Sequence, residues 1–265
     1  MTRSLGSERM GLSCAVVLAI SLGLLVASST PAQAQTAAHW NFCEGAGNLL
    51  HDVSGNQNHG DILGPDWDCD HELWSLRFDG ISDDQVAVAD APSLRIACGT
   101  IEIIFRTSGG FHAGDPGEQL LDKELGGIYE GDLEIYFAST TGQLTVQAEG
   151  GGGRHYARSD ATSWDDGIHH MAYTFGDHGM ELFVDGVAQI DASPFPASLE
   201  ENDRPLTMGF NPSQGTAALD GWIYAVRISD AVLAPGEFLT LADCCCCGGS
   251  PAAARTWGGV KSAYR

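Results

Sequence analysis

The feature that most constrains this chain is a period of two. From Ala38 to about Asp243 it runs in short segments rich in branched and aromatic residues, divided by clusters of Gly, Asp, Asn and Ser. Successive side chains of a strand point to opposite faces of a sheet, so apolar and polar residues in alternation specify strands with one buried face. Ile101, Ile103 and Phe105 alternate with Glu102 and Arg106, and Leu133, Ile135 and Phe137 with Glu134 and Tyr136. Leu144, Val146 and Ala148 alternate with Thr145 and Gln147, and Thr141-Gly142 makes a tight connection back to the preceding strand, which predicts a hairpin. Met171, Tyr173 and Phe175 repeat the pattern, and Met180, Leu182 and Val184 lead to Asp185-Gly186, a dipeptide that tolerates positive φ, with Val187 and Ile190 on the return. Pro235-Gly236-Glu237-Phe238-Leu239 opens a single helical turn, and no useful helical periodicity occurs elsewhere in this region. The predicted fold class is all-β, an antiparallel two-sheet sandwich.

The beginning of the chain sets the compartment. Arg3 and Arg9 precede an apolar run from Met10 to Val26, and a polar stretch leads to Ala32-Gln33-Ala34. A basic start, an apolar centre and small residues at alternate positions describe a secretory signal peptide over residues 1–34, cut before Gln35. The run is short for a helix of about 20 residues spanning a bilayer, and no other segment is apolar enough, so no membrane insertion is expected after cleavage. Cleavage leaves 11 of 13 basic and 34 of 35 acidic side chains, a formal charge of −23. Such a surface repels nucleic acid and anionic membranes and suits neutral glycans, cationic partners and divalent cations. The expected location is secreted: extracellular, periplasmic or cell surface. The remaining length fits one large all-β domain, over residues 36–243.

Cleavage also leaves seven of eight cysteines: Cys43, Cys69, Cys98 and the run Cys244 to Cys247. In an oxidising compartment one bridge among the first three is expected, with no pairing assignable from sequence. The run lacks the paired spacing of a zinc site and reads as part of a linker. Residues 244–265 are thus a Cys/Gly/Ala linker and a short basic tail from Arg255 to Arg265. Gly150 to Gly153 reads as a flexible loop, since no Lys-Ser or Lys-Thr follows to make a phosphate-binding loop.

Four blocks, in order, carry a family resemblance. His39-Trp40-Asn41-Phe42-Cys43-Glu44-Gly45-Ala46-Gly47 with Asp52-Val53-Ser54-Gly55-Asn56-Gln57-Asn58-His59-Gly60 resembles the first strand and loop of laminin-G-like jellyroll domains of the concanavalin A-like lectin/glucanase superfamily. Leu76-Arg77-Phe78-Asp79-Gly80 with Ala91-Pro92-Ser93-Leu94 resembles a second signature. Ile168-His169-His170-Met171-Ala172-Tyr173 and Glu181-Leu182-Phe183-Val184-Asp185-Gly186 resemble the paired central strands, with Ile168 where a tryptophan is usual. Leu219-Asp220-Gly221-Trp222-Ile223-Tyr224-Ala225-Val226-Arg227-Ile228 resembles the last strand. The resemblance implies a jellyroll used for binding glycans or proteins, not a catalyst. It also implies a calcium ion between an aspartate of the first loop and one in the last strand: Asp52 matches, Tyr224 stands at the second position, and Asp220 is the neighbouring substitute. The alternative role of Asp52 is to shape its turn through nearby backbone amides.

Other candidates follow from the residues. Glucanases of the wider superfamily carry three acids at alternate positions of one strand, whereas Asp132-Leu133-Glu134-Ile135-Tyr136 lacks the third, so Glu134 reads as a solvent-face residue. His169 and His170 point to opposite faces and make no two-ligand site. Asp66-Trp67-Asp68-Cys69-Asp70 has alternate carboxylates but lacks the glycine and bidentate glutamate of a calcium loop, and reads as a solvated acidic loop. Trp222, Tyr224 and Trp164 are the candidate sugar-stacking residues, Trp222 and Tyr224 sharing one face about 6.5 Å apart, with burial in the core as the alternative. The function read from sequence is a secreted non-catalytic module recognising carbohydrate. The alternatives are a protein-binding, adhesive surface domain and, behind it, a glycan-cleaving enzyme.

Overall fold

The computed structural model describes residues 35–81, 84–124, 126–215 and 217–247. The expected signal peptide and basic tail lie outside the described residues. In chain order the strands are β1 (Thr36–Trp40), β2 (Leu49–Leu50), β3 (Gly60–Leu63), β4 (Asp66–Asp70), β5 (Leu73–Asp79) and β6 (Gln85–Val88). Then come β7 (Gly99–Thr107), β8 (Phe111–His112), β9 (Glu118–Lys123), β10 (Leu133–Phe137), β11 (Leu144–Gly150) and β12 (Gly153–Arg158). The last are β13 (Ser163–Trp164), β14 (His169–Gly176), β15 (Gly179–Val184), β16 (Val187–Ala188), β17 (Leu206–Met208) and β18 (Asp220–Ser229).

Two antiparallel sheets result. The first runs β16-β15-β14-β7-β18-β5-β4, with β1 also paired to β18. The second runs β12-β11-β10-β9-β17-β6-β3-β2, and β8 with β13 forms a small ribbon. Ile101, Ile103, Phe105, Met171, Tyr173 and Phe175 from the first sheet meet Leu133, Ile135, Phe137, Val146 and Met208 from the second in one core. Burying each such side chain is worth roughly 1.5–3 kcal/mol, which fixes the inward face of these strands. The predicted turns form: Asp185 and Gly186 have φ of 49° and 77°, joining Val184 to its register partner Val187. The glycine string makes a turn of the same kind, with Gly150 paired to Gly153 and Gly151 and Gly152 at φ 58° and 76°. It is a tight hairpin rather than the flexible loop expected.

Three further expectations are corrected. First, the outer face of the first sheet is buried as well, because the closing segment folds back across it: Tyr224, Ile104, Ile168 and Leu73 meet Leu239, Leu241 and Cys244. Second, the cysteine run is a clasp, not a linker. Cys43 bonds Cys245 and Cys69 bonds Cys247, so no bridge joins Cys43 to Cys69. The backbone amide of Trp74 donates to the Cys245 carbonyl (2.7 Å) and that of Cys247 to the Glu72 carbonyl (3.1 Å), holding the run extended along β5. Alternation then sends Cys245 and Cys247 to one side, into disulfides, while Cys244 and Cys246 meet the apolar cluster. Third, Asp66–Asp70 is a strand, β4, rather than an acidic loop.

Candidate functional site

Registers across the second sheet align polar side chains on the face turned from the core. Thr207 pairs with Asp122, Asp122 with Glu134, Glu134 with Gln147 and Gln147 with Tyr156, a row across five strands. Residues directly opposite in a ladder share a face, and the core positions Leu133, Ile135 and Val146 take the other. Glu134 is therefore on the outer face as the alternation predicts, but it is only 6% exposed rather than solvated.

Neutral donors hold its carboxylate. Glu134 Oε1 accepts from Gln147 Nε2 (2.6 Å), and Oε2 accepts from Asn211 Nδ2 (3.2 Å) and Gln214 Nε2 (3.1 Å). The same Asn211 amide donates to Glu124 Oε1 (3.0 Å), which also accepts from the Ser213 hydroxyl, while Gly126 N donates to the other oxygen (2.5 Å). Asp122 Oδ1 accepts from the Glu124 amide (3.2 Å). One carboxylate oxygen each of Asp122, Glu124 and Glu134 lie within 4.8 Å of one another. Burial first, and then the Glu124 carboxylate, pushes Asp122 up to about 9. Burial, followed by Glu124 and Glu149, pushes Glu134 up to about 7.

Beside this cluster an open cleft of about 490 Å³ is lined by Gln119, Glu134, Tyr136, Gln147, Arg154 and Gln214, together with residues 116–117, 137–140 and 217. Arg154 is anchored by Glu149 Oε1 (2.8 Å) and the Gly127 carbonyl (2.9 Å). Among the described residues Glu134 is the one carboxylate of this lining. The cleft thus offers amides, a guanidinium, a carboxylate and a phenol ring, groups that match hydroxyl-rich ligands.

The residues singled out in the sequence lie elsewhere. Trp164 is 4% exposed in the core against Phe137, its indole N–H donating to the Gly142 carbonyl (3.0 Å). Tyr224 is fully buried under the closing segment, its hydroxyl donating to Asp70. Trp222 lies between the guanidinium groups of Arg77 and Arg106, at 4.4 and 4.2 Å, and donates to Asp68 Oδ2 (2.8 Å). The bulge at Ile223/Ala225 and the cover over Tyr224 leave no shared two-ring platform. Asp52 and Asp220 are not brought together. Asp52 accepts from the amides of His39 (2.9 Å), Ser54 (2.8 Å) and Asn58 (3.0 Å) and from the Ser54 hydroxyl (2.8 Å). Although burial acts the other way, these bonds hold its carboxyl below the usual range. Asp220 bonds Arg77 (2.5 Å) and lies seven residues along β18 from Arg227, the partner of His39, roughly 20 Å away. His169 and His170 do face opposite ways, one beside Phe105 and Trp164, the other against Glu102 (3.2 Å).

Sequence reasoning passed over Asp122, Glu124, Asn211, Gln147 and Arg154. The one local signal was the alternation of Gln147 with Val146 and Ala148, which gives its face but not its neighbours.

The family model for the concanavalin A-like lectin/glucanases superfamily matches residues 81–237. No curated protein matches the chain. Among solved structures the chain is similar to domain 4 of AbnA, a GH43 extracellular arabinanase from Geobacillus stearothermophilus in complex with arabinotriose. The TM-score is 0.63 at 14% identity, over 77% of this chain and 96% of that one. It is also similar to the binding domain of Paraclostridial Mosquitocidal Protein 1, with TM-score 0.60 and 12% identity over 77% of this chain and 50% of that one. A third is botulinum neurotoxin type C, whose cell entry depends on interaction with two ganglioside molecules, with TM-score 0.58 and 13% identity over 77% and 49%. The chain spans about half the length of these toxin chains, and the likeness is one of fold.

Proposed function

This chain belongs to the concanavalin A-like lectin/glucanases superfamily, and we propose that it is a secreted, non-catalytic binding module that recognises carbohydrate in the cleft over β10 and β11. The observation that carries the reading is the lining itself. Gln119, Gln147, Gln214, Arg154 and Glu134 present planar donors and acceptors beside the Tyr136 ring, in a volume of about 490 Å³ that suits a small ligand. Sugar hydroxyls need donors and acceptors together, and amides supply both. Cleavage by the two-carboxylate mechanism needs a nucleophile and an acid opening on the same bond, and this lining holds a single carboxylate. The binding domains similar in fold support the module reading, and the arabinotriose and ganglioside ligands of those proteins suggest the ligand class. Two disulfides suit an oxidising compartment.

Glycan-array binding and affinity electrophoresis in polysaccharide gels test this. Gln147→Ala and Gln214→Ala should each weaken retention roughly 3- to 10-fold, the worth of a hydrogen bond; Gln147→Ala, which also strips a donor from the buried Glu134, should lower the melting temperature, whereas the change at the exposed Gln214 should leave it nearly unchanged. Trp222→Ala should leave retention intact, and no reducing ends should be released. Retention that survives both cleft variants would place the glycan site outside the cleft, and no retention of any glycan by the folded chain would turn the reading to a protein-binding surface domain.

A further inference from the structure

We propose that Asp122, Glu124 and Glu134 hold a hard divalent cation of the calcium class at the edge of the cleft. The ion suggested by Asp52 and Asp220 has no shared site there, because the two stand roughly 20 Å apart along β18 and Asp220 is paired with Arg77.

The register places Asp122 and Glu134 opposite each other on one face, and Glu124, two residues beyond Asp122, turns its carboxylate to the same point. All three are at least 94% buried, at 2%, 6% and 6% exposure. Among the described residues none of the three has an ion pair with Lys or Arg. Their partners are the amides of Asn211, Gln147 and Gln214, the Ser213 hydroxyl and the backbone amides of Glu124 and Gly126. Such neutral donors orient the carboxylates without compensating their charge, as outer-shell groups at metal sites do. Oδ2 of Asp122 has no hydrogen-bond partner at all. A buried acceptor without a donor is costly, and inside a triad of acids the group that satisfies it is a cation or a proton. The donor set is oxygen alone, which selects calcium, magnesium or manganese over softer metals, and three carboxylates from β9, β10 and the residue just beyond β9 suit the high coordination number of calcium.

The proposal does not rest on glycan binding. Equilibrium dialysis of the EDTA-treated full chain against calcium chloride should give one ion per chain, and calcium should raise the melting temperature by several degrees. Asp122→Asn, which keeps the shape of the protonated acid, should weaken uptake at least tenfold, while Asp52→Asn should not. No stoichiometric uptake of calcium, magnesium or manganese at millimolar concentration would overturn the proposal, as would undiminished uptake by Asp122→Asn. Dialysis of the unaltered chain decides the matter even if a variant does not fold. Calcium uptake without glycan retention would refute the glycan reading alone, and the converse would refute the ion alone.

Discussion

Glu102 lies on a face that its own strand pattern marks as polar, yet it is completely buried. Its carboxylate accepts from Arg227 Nε (2.6 Å) and Nη2 (2.5 Å) and from the Leu239 amide (2.6 Å), and it faces His170 Nε2 at 3.2 Å. One acid therefore ties three strands and the closing segment together. Removing one member of a buried charged pair leaves the other desolvated and unmatched, which typically costs about 3–5 kcal/mol. Glu102→Ala should lose roughly that amount in urea unfolding, and Glu102→Gln, which keeps the acceptor, should lose less. Asp52 acts at the same scale: its carboxylate fixes the loop 52–58 against β1, the role that the sequence offers as the alternative to an ion.

At the scale of elements, the extended run 244–247 behaves as a covalent edge. Its two disulfides close loops of 202 and 178 residues in sequence separation. Cross-links over such spans restrict the unfolded chain strongly, by about 2–5 kcal/mol where native disulfides have been removed. Reduction should therefore lower the unfolding midpoint in urea and open the closing segment to limited proteolysis, exposing Tyr224 and Leu241. Cys43→Ser/Cys69→Ser should reproduce the effect without reductant. A clasp that adds no stability, with the segment still protected, would mean that the apolar cluster alone holds it. Burial pushes the Cys244 thiol up, so this residue should stay unreactive towards alkylation until the segment opens.

For the whole molecule, charge is the governing quantity. The chain carries 35 acidic against 13 basic side chains, and the fold buries several of the acids. Burial, reinforced by the Asp220 charge, pushes Glu118 from 4.5 up to about 8. Between those two values the unfolded chain has given up this proton and the folded chain still holds it, so stability falls as pH rises through the window. Asp52, Asp70 and Asp90 are held low instead, and the stability they supply is lost only as pH falls through their folded values in acid. The melting temperature should accordingly decline from about pH 5 to pH 9. Glu118→Gln should flatten that decline, as differential scanning calorimetry across the range would record; an unchanged slope would show that Glu118 is ionised in the folded state.

Most strands, their inward faces and the Asp185-Gly186 turn were legible in the sequence because each is decided locally: alternation sets which side chains are apolar together, and Asp185-Gly186 accepts its φ angles without help, whereas β4 and the Gly150–Gly153 hairpin were not. So was the family, through motifs that lie within single strands. What only the tertiary structure decided was which strands stand side by side and what covers them. Asn211 reaches Glu134 across 77 residues, and Cys43 meets Cys245 across 202. A period of two names the face on which Glu134, Tyr224 and Trp222 lie. It carries no trace of whether that face opens to a cleft or lies beneath another part of the chain, because burial is a property of the partner that arrives, and the partner is chosen by sheet order.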